Sequence, residues 1–159
     1  MKIANILGLV ISIAVCQLAG VIGSVFTSRT VTTWYVTLTK PSFTPPSWVF
    51  APVWITLFLL MGVAAFMVWS KGLSDQRVKI ALGMFILQLI LNVLWSAMFF
   101  GLKSPLAGFI DIVILWFAIM LTIMSFYRIS TTAAVLLVPY FLWVSFAAVL
   151  NFSIWSLNR

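Results

Sequence analysis

The sequence predicts an all-α membrane protein, a bundle of five transmembrane helices. Hydrophobic residues make up 64% of the chain and charged residues 7%. That leaves too little polar surface for a soluble fold of this length. Five apolar runs each come close to the roughly 20 residues that a helix needs to cross a bilayer core. The breaks between them are short, so residues 1–159 read as one domain with helices at about 3–26, 53–69, 80–100, 106–126 and 132–156.

Charge agrees with this class. Nine Lys and Arg stand against two acids, a net charge of +7, with no histidine. The basic residues fall at span ends or in loops, where each contributes ~1 kcal/mol of attraction to anionic headgroups. The lipid bilayer is therefore the first partner. A clustered basic face, which nucleic-acid binding requires, is absent. Five basic residues (Lys2, Lys71, Arg77, Lys79, Arg128) lie on the side of the N-terminus and four (Arg29, Lys40, Lys103, Arg159) on the other. That bias favours a cytoplasmic N-terminus, though narrowly.

The first span, Ile3 to Phe26, is too long for the apolar core of a signal peptide, ~7–15 residues. Ala4, Gly8, Ser12, Cys16, Gly20 and Ser24 recur along it every four residues. Small residues at this spacing allow close helix packing, whether inside the bundle, against a ligand or against a second copy. The loop at 27–48 follows, and the stretch Trp34 to Trp54 carries three tryptophans and four prolines in its 21 residues. Proline fixes φ and removes a backbone donor, so this segment reads as a stiff aromatic cover. Pro52 suits the first turn of a helix, which sets the second span at 53–69, with Trp54 and Phe58 on one face.

In the third span, Gln88, Asn92, Trp95, Ser96 and Phe99 step by three and four and share a face. Amide side chains are costly against lipid, so that face points inward, either as interhelical glue or as a ligand wall. The fourth span holds Asp111, an intramembrane acid and hence a functional candidate. It stands about two turns from the span's start, where headgroups or Lys103 would solvate or pair it. In the fifth, Tyr140, Trp143 or Val144, Ala147 and Asn151 share a face, and Pro139 is expected to kink the helix.

The residue inventory excludes much chemistry. Without histidine or clustered cysteine there is no metal set and no ordinary nucleophile–base pair; no phosphate-binding glycine loop occurs. What remains is aromatic: eight tryptophans. Trp69 and Trp155 suit interfacial anchors, whereas Trp54, Trp95 and Trp143 share faces with polar residues. Apolar walls with a few convergent polar groups suit a small, flat ligand. Arg29 and Lys40 are candidates to meet a ligand carboxylate at the mouth.

The run Trp34, Tyr35, Leu38, Lys40, Pro41, Phe43, Pro45, Pro46, Phe50, Pro52, Val53, Trp54 resembles the signature of the translocator protein (TspO/MBR) family, whose bacterial members are called tryptophan-rich sensory proteins. The third span (Gln88, Asn92, Trp95, Ser96, Phe99, Phe100) and the fifth (Pro139, Tyr140, Trp143, Phe146, Ala147, Leu150, Asn151) are similar to it as well. The resemblance implies a five-helix bundle, usually a homodimer, in a bacterial cell membrane. It implies a pocket lined by Tyr35, Trp54, Phe58, Asn92, Trp95, Trp143 and Ala147 and closed by the first loop as a lid. Its ligands would be porphyrins (protoporphyrin IX, haem) and isoquinoline or benzodiazepine compounds, bound by a receptor or sensor that requires no cofactor. The alternatives are light- and oxygen-dependent porphyrin degradation, in which Trp54 and Trp143 would be catalytic, and transport of porphyrin or another lipophile. The sterol pattern associated with the family's C-terminal end is not reproduced: Phe152 and Ser153 stand where a tyrosine is wanted, and Ser156 where a basic residue is.

Overall fold

The computed structural model describes residues 3–159; Met1 and Lys2 lie outside the described residues, as do the side chains of Ile3 and Ala4. Helices α1 (Ile3–Thr30), α2 (Ser47–Trp69), α3 (Gln76–Ser96) and α4 (Pro105–Tyr127) are followed by a short α5 (Thr131–Leu136) and by α6 (Val138–Leu157). Among the described residues five spans are long and apolar enough to cross a membrane, α5 and α6 together forming the fifth. The chain is a multi-pass integral membrane protein built as the expected bundle.

Three helix boundaries differ from expectation, each for a local reason. α1 runs through Thr30, and α2 starts at Ser47 rather than Val53. Pro46 is extended (φ −56°, ψ 143°) and sits at the N-cap, so the Pro45-Pro46 pair, not Pro52, marks the start. Pro52 lies in the second turn, where its missing N–H removes one intrahelical bond. The connecting loop therefore shrinks to residues 31–46. α3 begins at Gln76 because the Asp75 carboxylate caps it, accepting from the Arg77 N–H at 2.9 Å. Bonds from Arg77 also hold the Asp75 carboxyl below its ordinary range.

The third span ends in a π-helical turn at Ala97–Gly101, closed by Leu102 N–H donating to the Ala97 carbonyl at 2.8 Å. The extra residue per turn lets two successive rings, Phe99 and Phe100, both point inward and stay buried. The expected kink at Pro139 takes the form of a break at Leu137 that separates α5 from α6.

Close approach holds the bundle together. A Cβ on Gly62 would lie 2.6 Å from the Ile13 Cα, so α1 and α2 touch backbone to backbone there. Gly8 packs against Phe66, Gly20 against Phe58, and Cys16 is buried, which gives those members of the four-residue stripe an internal packing role. Apolar side chains form two clusters. The larger runs through the bundle around Met61, Phe85, Leu115, Phe126 and Tyr140. The smaller, built on Phe99, Phe100, Leu150 and Ile154, seats Trp34, Tyr35 and Leu38 of the loop; Trp95 packs against both clusters.

Candidate functional site

The polar face of α3 points inward and is paired to α6. Asn92 Nδ2 donates to the Tyr140 hydroxyl oxygen at 2.9 Å, and that hydroxyl donates to Gln88 Oε1 at 2.9 Å. One turn nearer the loop, Trp95 Nε1 donates to Asn151 Oδ1 at 3.0 Å, while Asn151 Nδ2 donates to the Pro105 carbonyl at 2.8 Å. The groups that make the face polar are thus the groups that tie α3, α4 and α6 together. The amides of Asn92 and Asn151 serve as interhelical glue, and Asn92 also lines the cavity.

That cavity, of about 10 Å³, lies among these pairs. Trp54 of α2, Asn92 and Trp95 of α3, Ile112 and Leu115 of α4, and Val144 and Ala147 of α6 surround it. Four of the seven residues that the family resemblance implied for a pocket meet here: Trp54, Asn92, Trp95 and Ala147. The other three lie around them. Phe58 stacks on Trp54, with centroids 5.5 Å apart and the rings 30° from parallel. Trp143 sits edge-on to Phe50 at 5.9 Å and beside Phe146 at 5.7 Å. Tyr35 packs on Phe99 and Phe100 in the upper cluster, and burial pushes its hydroxyl above the ordinary tyrosine range. Ile112 and Leu115 were not singled out from the sequence. Their signal was the spacing of Gly108, Asp111, Ile112, Leu115 and Ile119 along one buried face of α4.

The loop from 31 to 46 packs by aromatic contact on the π-helical turn after α3 and on the middle of α6. Trp34 meets Phe99 at 5.6 Å, and Phe43 meets Phe146 at 6.3 Å, both edge to face. The two basic residues expected at the mouth lie elsewhere than on the cavity wall. Lys40 Nζ folds back on its own loop, donating to the Leu38 carbonyl at 3.2 Å and lying 4.8 Å from the centroid of the Tyr35 ring. Arg29 borders a separate groove of about 420 Å³, between the end of α1 and the π-helical turn.

Asp111 corrects a further expectation. It is 4% exposed, neither solvated nor paired with Lys103, and its Oδ2 has no hydrogen-bond partner among the described residues. It is the seventh residue of α4, and the helical phase turns it into the bundle. Gln88 Nε2 is likewise without a partner among the described residues, and no cluster of three metal-ligating side chains occurs among them.

Comparison with known proteins covers almost the whole chain. The TspO/MBR family model matches residues 12–156. Tryptophan-rich protein TspO of Chlorobaculum tepidum is 49% identical over 154 residues, 97% of this chain and 98% of that protein. Tryptophan-rich protein TspO of Archaeoglobus fulgidus is 48% identical over 155 residues, covering 97% and 99%. The translocator protein of Homo sapiens is 36% identical over 139 residues, covering 87% and 82%.

Proposed function

The chain belongs to the TspO/MBR family, and on that premise we propose that it is a membrane receptor or sensor for flat lipophilic ligands of the porphyrin type, held among α2, α3, α4 and α6 beneath the loop. The observation that carries this reading is the convergence of Trp54, Asn92, Trp95 and Ala147 on one cavity wall. The large rings offer stacking faces, and the buried Asn92 amide offers a polar contact that fixes orientation.

The volume constrains the mechanism. A cavity of about 10 Å³ holds at most about one water, whereas small-molecule pockets span roughly 300–1,000 Å³. Binding therefore requires rearrangement: the Trp54 and Trp95 rings separate, and the loop above them lifts to admit the ligand. Asn92 gives up part of its bond to Tyr140 when it turns toward the ligand, which couples binding to the α3–α6 contact.

The test is a fluorescence titration with protoporphyrin IX in detergent and in the dark, on the wild type beside Trp54→Phe and Asn92→Ala. Saturable binding weakened at least about tenfold by either change is expected, the equivalent of ~1.4 kcal/mol. Equal quenching in all three proteins, without saturation, would mean partitioning into detergent and would remove the pocket assignment.

A further inference from the structure

The loop from Val31 to Pro46 is held mostly by hydrogen bonds of its own. Its backbone bonds, Val31 to Thr27, Thr33 to Thr30, Thr37 to Trp34, Leu38 to Tyr35 and Thr44 to Pro41, each span three or four residues. The side chains of Thr33, Thr37, Lys40 and Thr44 also bond within the loop or to the end of α1. Among the described residues a single side chain from elsewhere bonds to this segment, that of Asn158, 119 residues away just past the end of α6.

Asn158 takes both polar groups of one loop residue. Its Oδ1 accepts from Thr39 N–H at 2.9 Å, and its Nδ2 donates to the Thr39 carbonyl at 2.8 Å. The same nitrogen donates its other hydrogen to the Ile154 carbonyl at 2.7 Å, which anchors the amide to α6. A carboxamide carries the donor and acceptor of a peptide unit, so the pair reproduces one rung of a strand ladder. The assignment is fixed by the network: turned over, the amide oxygen would face two carbonyl oxygens.

The position of this rung matters. Thr39 lies four residues after Tyr35, seated on Phe99 and Phe100, and four before Phe43, seated on Phe146. Ring contacts tolerate sliding and tilting, whereas a two-bond amide pair permits one register. The loop thus rests on two apolar feet with one directional pin midway between them.

We propose that Asn158 is the latch of this lid: a positioning residue that touches no ligand and sets how often the loop lifts and how fast the site exchanges its ligand. The second part rests on the reading of the pocket given above; the first does not.

The experiment compares wild type with Asn158→Ala, which removes both bonds to Thr39, and Asn158→Asp, which keeps the acceptor and removes the donor. Hydrogen exchange across residues 31–46 is measured without ligand, and protoporphyrin IX dissociation is measured by stopped flow. Asn158→Ala is expected to speed Thr39 amide exchange and porphyrin dissociation by about 5- to 30-fold, as two modest net hydrogen bonds imply. Asn158→Asp should match or exceed Asn158→Ala, because its second carboxylate oxygen would face the Thr39 and Ile154 carbonyls, with the melting temperature of the bundle unchanged in both. Unaltered Thr39 exchange in both variants would overturn the latch, as would faster exchange along the whole of α6 with a lower melting temperature, which marks mere fraying. Faster Thr39 exchange with unchanged dissociation would overturn its control of ligand exchange. If the wild type binds no porphyrin saturably, the pocket reading fails, and the exchange arm still decides whether the latch exists.

Discussion

In the bundle floor polar side chains pair across helices, whereas the loop from 31 to 46 is tied to the bundle by ring contacts and one amide. Both regions are rich in aromatics, but they resist opening differently. In the floor, Tyr140 joins Gln88 to Asn92, and Asn151 joins Trp95 to Pro105. These groups lie where no water replaces a broken bond, so parting the helices leaves donors and acceptors bare. The loop lies at the end of the bundle, and Thr39 and Asn158 regain water when they separate. Its aromatic contacts with Phe99, Phe100 and Phe146 are each worth about 0.5–1.5 kcal/mol beyond buried area. Lifting the loop is thereby separable from loosening the bundle, as the proposed exchange of ligand without unfolding requires.

The largest expected effect is in the floor, at Gly108. A Cβ there would lie 2.8 Å from Phe99 Cδ2 and 3.0 Å from Asn151 Oδ1. Phe99 is wedged by Trp95 and Phe100 and has little freedom to retreat. Gly108→Val should cost about 1–3 kcal/mol through overpacking, read as a lower melting temperature in detergent. An unchanged melting temperature would mean that the floor yields as readily as the lid. Next comes Tyr140→Phe, which strands Asn92 Nδ2 and Gln88 Oε1 in a buried setting. Stranded buried groups cost about 1–3 kcal/mol, but hydrogen bonds inside membrane proteins average nearer ~0.6, so a loss of about 1 kcal/mol is expected. Hydrogen exchange in the loop should stay as in the wild type. If it rises, floor and lid form one cooperative unit and the distinction between them fails.

Much of the floor was legible in the sequence and little of the latch. The steps of three and four from Gln88 to Phe99 put those residues on one face, and the cost of burying amides turned it inward. The same argument was available for Asp111, since Gly108, Asp111, Ile112 and Leu115 share a face. Judging Asp111 by its depth in the span, rather than by its helical phase, wrongly placed it near headgroups. The start of α2 was obscured because three nearby prolines each allow a helix start, and propensity does not choose between Pro46 and Pro52. A π-helical turn breaks the 3.6-residue period at Ala97, so its effect on Phe100 has no periodic signal. Asn158 reads as an ordinary polar residue next to Arg159. Only the fold brings it to Thr39, and an amide-to-backbone pair requires nothing of the partner's side chain.

The smallest change sharpens the comparison most. Phe43 is half-exposed and meets Phe146 edge to face at 6.3 Å, in the outer part of the lid seat. Phe43→Leu keeps an apolar side chain but removes the ring edge. An exposed substitution of this kind shifts unfolding by less than about 0.5 kcal/mol, so the melting temperature should barely move. The lid responds differently, because this contact is one of its two apolar feet. Hydrogen exchange at Thr44 and porphyrin dissociation should quicken by about two- to fivefold, at the low end of what an aromatic pair contributes. A melting temperature that falls as far as in Tyr140→Phe would show that the loop carries the stability of the bundle. Unchanged exchange would leave the pin at Asn158 and the Trp34 and Tyr35 contacts as what holds the loop. Kinetics that move while stability stays still are what a lid seated on, but not built into, the helical core must produce.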